Sequence, residues 1–109
     1  MSVAVSPFAQ TQAEALQSVA SRYKRDGYEV FLQPSGRALP KPLSRFRPDL
    51  VARGPHETVV VEVKSRSDLV KKPHLAQLAR TVDRIPGWRF EMVVVNPEVE
   101  SPYRSMSEA

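Results

Sequence analysis

At 109 residues the chain is the size of one domain with one modest core. Its apolar fraction of 41% and charged fraction of 26% are those of an ordinary globular protein, while a formal charge of +4 and a pI near 9.8 favour an acidic partner. Zero cysteines exclude disulfides, thiolate catalysis and Cys-ligated zinc, two histidines leave little for a His-rich metal centre, and no apolar run reaches the ~18–20 residues of a membrane span.

The N-terminus lacks a charged region followed by a long hydrophobic one, so a cytoplasmic protein is expected. Residues 1–9 read as a short tail. From residue 10 to 25 a helical period places Leu16, Val19, Ala20 and Tyr23 on one stripe, closed by Asp26-Gly27. Residues 28–32 read as a strand that Pro34 stops. Residues 35–46 hold Gly36, Pro40 and Pro42 among basic residues, which predicts a mobile surface loop.

Two strands follow, residues 47–53 and 58–64, joined by Gly54-Pro55-His56-Glu57. After a polar connection over residues 65–68, a second helix is clearest from Pro73 on. Its stripe is Leu75, Leu78, Ala79, Val82 and Ile85, and Pro86-Gly87 ends it. Residues 89–95 form a fourth strand, and residues 98–109 a flexible tail. The order αβββαβ over residues 10–97 predicts an α/β domain: a mixed four-stranded sheet flanked by helices, with a crossover between parallel strands.

Within the third strand Glu62 and Lys64 interrupt a β-branched run. Side chains alternate along a strand, so the two share one face while Val59, Val61 and Val63 take the other. If residues 54–57 form a hairpin loop, Arg53 pairs with Thr58, and counting along the ladder sets Asp49 opposite Glu62. Two carboxylates this close repel unless a cation lies between them. With only oxygen donors at hand, that cation is expected to be Mg²⁺ or Mn²⁺. Each residue also has a plain reading: Glu62 and Lys64 as a strand-end ion pair, and Asp49 as a turn residue bonded to backbone.

Basic residues flank this acidic centre. Arg37, Lys41, Arg45 and Arg47 precede it without an intervening acid, and Lys64, Arg66, Lys71 and Lys72 lie at or after it. A basic rim suits the phosphates of a nucleic acid, although a solvated basic face would look the same.

Pro48-Asp49, twelve further residues, then Glu62-Val63-Lys64 resembles the motif of the PD-(D/E)xK nucleases of restriction-endonuclease-like fold, and most of all the archaeal Holliday junction resolvase-like nucleases. The resemblance spans roughly residues 10–97 and implies the same αβββαβ core. It implies a Mg²⁺-dependent DNA endonuclease, structure-selective or devoted to restriction and defence. Asp49 and Glu62, with the Val63 carbonyl, would hold the ion, Lys64 would orient the attacking water, and Arg37, Lys41, Arg45 and Arg47 would grip the DNA backbone. Relatives act as dimers, so a homodimer is expected. Two further residues match variable family positions. Glu14 lies opposite the stripe of the first helix, which turns it to solvent, and Gln77 reads equally well as a surface glutamine. Trp88 and Phe90 read as core or strand-edge aromatics rather than base-stacking platforms. The competing functions are an inactive nucleic-acid-binding module of the same fold and a purely structural domain.

Overall fold

The computed structural model describes residues 2–5, 11–71 and 74–95. In chain order the elements are β1 (Ser2–Val5), α1 (Gln12–Arg25), β2 (Glu29–Leu32), 3-10 turns at Gly36–Ala38 and Lys41–Leu43, β3 (Leu50–Arg53), β4 (Thr58–Ser65), α2 (Arg66–Lys71), α3 (His74–Asp83) and β5 (Trp88–Val95). The strands form one sheet in the order β1-β5-β4-β3-β2. Strands β2–β3 and β3–β4 pair antiparallel, whereas β4–β5 and β1–β5 pair parallel. The expected mixed sheet of four strands is present.

A fifth strand extends it. Ser2–Val5, expected as a tail, pairs in parallel with residues 91–94 of β5. That edge would otherwise show a row of unpaired backbone groups along a valine-rich strand.

Helix α1 starts with a reciprocal cap: the Thr11 hydroxyl accepts from the Glu14 N–H and the Glu14 carboxylate accepts from the Thr11 N–H. It ends with Gly27 at φ +90°, where Tyr28 N–H reaches the Tyr23 carbonyl and Gly27 N–H the Lys24 carbonyl. Its buried face is Ala15, Val19, Ala20 and Tyr23, which pack on Leu50, Ala52, Val59, Val61, Val63, Val93 and Val95. Leu16, expected on this stripe, is only partly buried. On the other side of the sheet Leu75, Leu78, Ala79 and Val82 of α3 cover Val51, Val60, Phe90, Met92 and Val94. With both faces covered, β4 carries valines on both of its sides, at Val59, Val60, Val61 and Val63. Among the described residues no helix is long and apolar enough to cross a membrane.

Two further expectations are corrected. The polar connection at 65–68 is structured: Ser65 closes β4, and its hydroxyl accepts the Asp68 N–H, as a capping residue does for a helix that begins at Arg66. Pro73, expected at a helix start, lies outside the described residues.

The segment 35–46 is not a loose loop either. Its two 3-10 turns set Leu39, Leu43 and Phe46 into the core beneath α3, with Leu43 fully buried. The prolines and glycine that argue against regular structure are compatible with short turns, and the leucines between them supply the anchoring. Leu43→Ala is therefore expected to cost about 2–5 kcal/mol in urea unfolding, as for a core leucine. A change under about 0.5 kcal/mol, the surface-substitution range, would show the segment to be a surface loop after all.

Candidate active site

The hairpin register fixes the site. Arg53 pairs with Thr58 and Leu50 with Val61, so one more step along the ladder sets Asp49 against Glu62. Rows of side chains thus cross the α3 face of the sheet: Phe31, Val51, Val60 and Phe90 form one, and Asp49, Glu62 and Met92 the next. Strand β3 begins at Leu50 while β4 runs on to Ser65, leaving a notch beside the end of β4.

Side chains finish the ladder in that notch. The Asp49 N–H donates to Glu62 Oε2 at 2.6 Å, and the Val63 N–H donates to Asp49 Oδ2 at 2.8 Å. Lys64 Nζ lies 3.3 Å from Asp49 Oδ2 and 3.7 Å from Glu62 Oε1. The three groups expected to converge do so. Pro48, fully buried, needs no donor partner as it wedges the chain into place before Asp49.

Electrostatically the site is under tension. Glu62 is 4% exposed, and burial, reinforced by the Asp49 charge, pushes its carboxyl up to about 7 against the pull of the Asp49 N–H and Lys64. A carboxylate that resists ionising beside a second carboxylate has room for another positive charge. The donor set fits a hard divalent ion: two carboxylates, plus the carbonyl of Val63, which shares the notch edge with its bonded N–H. Among the described residues no three Asp, Glu or His side chains cluster as ligands.

A cavity of about 230 Å³ opens on this notch, lined by Gln12, Ala13, Leu16, Gln33, Asp49, Val63 and Lys64. A second, of about 290 Å³, adjoins Asp49 between Gln33, Ser35 and Arg47. Of the expected DNA contacts, Arg47 is therefore at the rim of the site. Arg37 lines a separate groove with Phe31 and Val51, while Lys41 and Arg45 are exposed on the 3-10 segment, Arg45 stacked over Phe46. Glu14 is exposed and committed to the helix cap, as its place on the helical wheel predicts. Gln77 is exposed on α3 and lines neither cavity. Lys72 lies outside the described residues.

Sequence reasoning missed two glutamines. Gln12 Nε2 donates to the Val63 carbonyl and to Asp68 Oδ2, each at 3.1 Å, so the first turn of α1 holds the edge of β4. The capping pattern Thr11-Gln12-Ala13-Glu14 announces a helix start, but which residue of that turn meets β4 depends on how α1 crosses the sheet. Gln33 holds φ +49°, uncommon for a residue with a side chain, while its N–H donates to the Asp49 carbonyl at 2.9 Å.

The model of the REase_AHJR-like family, a restriction-endonuclease-like family, matches residues 5–108. No curated protein matches the chain significantly.

Because the folded-state pKa of Glu62 is raised, the stability linked to its protonated form is full below about 4.5 and is lost as pH rises through about 7. Glu62→Gln imitates the protonated form. In chelator at pH 8 it is expected to be more stable than the parent, on the order of 3 kcal/mol at about 1.4 kcal/mol per pH unit, with the gap closing by pH 4.5. Chemical unfolding across pH measures this, and equal or lower stability of the variant at pH 8 contradicts the tension assigned to Glu62.

Proposed function

The chain belongs to the restriction-endonuclease-like family REase_AHJR-like, and on that premise we propose that it is a Mg²⁺- or Mn²⁺-dependent DNA endonuclease. The observation that carries the reading is the convergence of Asp49, Glu62 and Lys64 within 3.3–3.7 Å on one face of the β3–β4 hairpin. Asp49, Glu62 and the Val63 carbonyl would hold the ion. When bound, a divalent cation supplies Lewis acidity and positive charge opposite the scissile phosphate.

The chain's own groups do the rest. The Lys64 ammonium donates toward the attacking water and offsets negative charge that grows on the phosphate during in-line displacement. Arg47, at the rim beside Asp49, binds a backbone phosphate next to the cut, and Arg37, Lys41 and Arg45 extend the basic path along segment 35–46. Gln12 keeps the Val63 carbonyl aimed into the notch. Phosphate contacts carry little sequence information, so selectivity for branched or unpaired DNA, as in resolvase-like enzymes, fits this surface at least as well as a restriction role. One site on so small a domain also fits a homodimer that offers one centre to each strand, acting in the cytoplasm.

A panel of supercoiled, linear, flapped and four-way DNA, with Mg²⁺, Mn²⁺ or chelator, tests the reading. Cutting is expected only with a divalent ion. Asp49→Asn and Lys64→Ala should each lower it at least about a hundredfold while DNA affinity stays within about threefold, since Arg37, Lys41, Arg45 and Arg47, which carry the backbone contacts in this reading, stay in place. Salt-sensitive DNA binding with no turnover under any ion would identify a binding module instead.

A further inference from the structure

Beside the site row, on the same face of the sheet, a groove of about 420 Å³ is lined by Glu29, Phe31, Pro34, Arg37, Ala38, Val51, Arg53 and Trp88. The register explains its composition. Glu29, Arg53, Thr58 and Trp88 form one row across the sheet, and Phe31 and Val51 belong to the row between it and Asp49. Arg53 is four residues from Asp49 along the chain, or about 13 Å at the usual strand rise. Its guanidinium lies 5.2 Å from the centre of the Phe31 ring. Among the described residues neither Arg37 nor Arg53 forms an ion pair with a carboxylate, although Glu29 sits opposite Arg53 in the ladder. Trp88, at the start of β5, packs against the core as expected of a core or edge aromatic, is half-buried, and also lines this groove.

Two aromatic side chains, Phe31 already stacked with Arg53, together with two guanidinium groups free of ion pairs among the described residues and a carboxylate acceptor, match the chemistry of a nucleotide: ring to base, arginines to phosphate, Glu29 to a base amino group. We propose that this groove binds an unpaired base of the DNA strand that runs through the Asp49–Glu62–Lys64 site, a few nucleotides from the scissile phosphate. This rests on the nuclease reading above and deepens it. A base inside a duplex has its faces covered by its neighbours and cannot enter, so the groove would direct cutting to frayed, flapped or branched DNA.

Trp88 is the sole tryptophan, so its fluorescence reports on this groove. The full chain in chelator and low salt is titrated with a short single-stranded oligonucleotide and with a blunt duplex of equal length. Saturable quenching by the single strand is expected, with at least about fivefold weaker affinity for the duplex. Arg53→Ala and Phe31→Ala should each weaken single-strand binding about tenfold, the scale of one lost stacking contact. If Phe31→Ala fails to fold, the exposed Arg53 still decides the matter. Unchanged affinity in Arg53→Ala, equal quenching by duplex, or a change in oligomeric state of that variant that accounts for its weaker binding would each overturn the proposal, the last by making the groove an interface between copies. Because the titration contains no divalent ion, its result is independent of cleavage. Binding without cutting would sink the nuclease reading alone, and cutting without quenching would sink the groove alone.

Discussion

The pairing of β3 with β4 is the constraint on which the site depends. Side chains alternate faces, so a slip of one residue in the Arg53–Thr58 register would move Asp49 to the side of the sheet covered by α1 and separate it from Glu62 and Lys64. The hairpin also ends in an unusual way. Where β3 stops, the carboxylates take over the work of the ladder: Glu62 receives the Asp49 N–H and Asp49 receives the Val63 N–H. The acidic pair is therefore built into the backbone bonding of the hairpin end, and its geometry is set by bonds that any correctly paired chain must make.

A second buried carboxylate shows what distinguishes a site from a structural charge. Glu91 lies buried on the α1 face and meets the Tyr23 hydroxyl and the Arg22 guanidinium. Nearby, Glu57 is held below the ordinary carboxyl range by hydrogen bonds from Arg89 and Tyr28. These groups join α1, the hairpin loop and β5, and each acid faces donors alone. Glu62 instead faces another acid, with one lysine shared between the two. Both glutamates interrupt apolar strands, yet only one is left in want of positive charge.

That contrast marks how far the sequence could be read. The αβββαβ order, the hairpin register and the meeting of Asp49, Glu62 and Lys64 were legible because they follow from alternation and loop length over a short stretch of chain. Family membership of residues 5–108 agrees with that motif. Less local features were not legible. β1 exists by pairing with the far edge of β5, Gln12 matters because of how α1 crosses β4, and Glu91 is neutralised by residues some seventy positions earlier. Segment 35–46 was misjudged for a related reason: its prolines and basic residues outweigh Leu39, Leu43 and Phe46 in composition, but the three apolar side chains decide where it sits.

The anchoring of that segment changes the physics of the basic surface. A mobile loop carrying Arg37 and Arg47 would lose conformational entropy on gripping a ligand, which offsets much of the contact energy. Here Leu39, Leu43 and Phe46 already fix the backbone against α3, so Arg37 at one end and Arg47 at the other are held at set positions, one on the groove and one on the notch. The strained Gln33, bonded to the Asp49 carbonyl, ties the start of the same segment to the acidic hairpin. Core packing under α3 thereby fixes where the cations of this segment stand relative to the acidic centre.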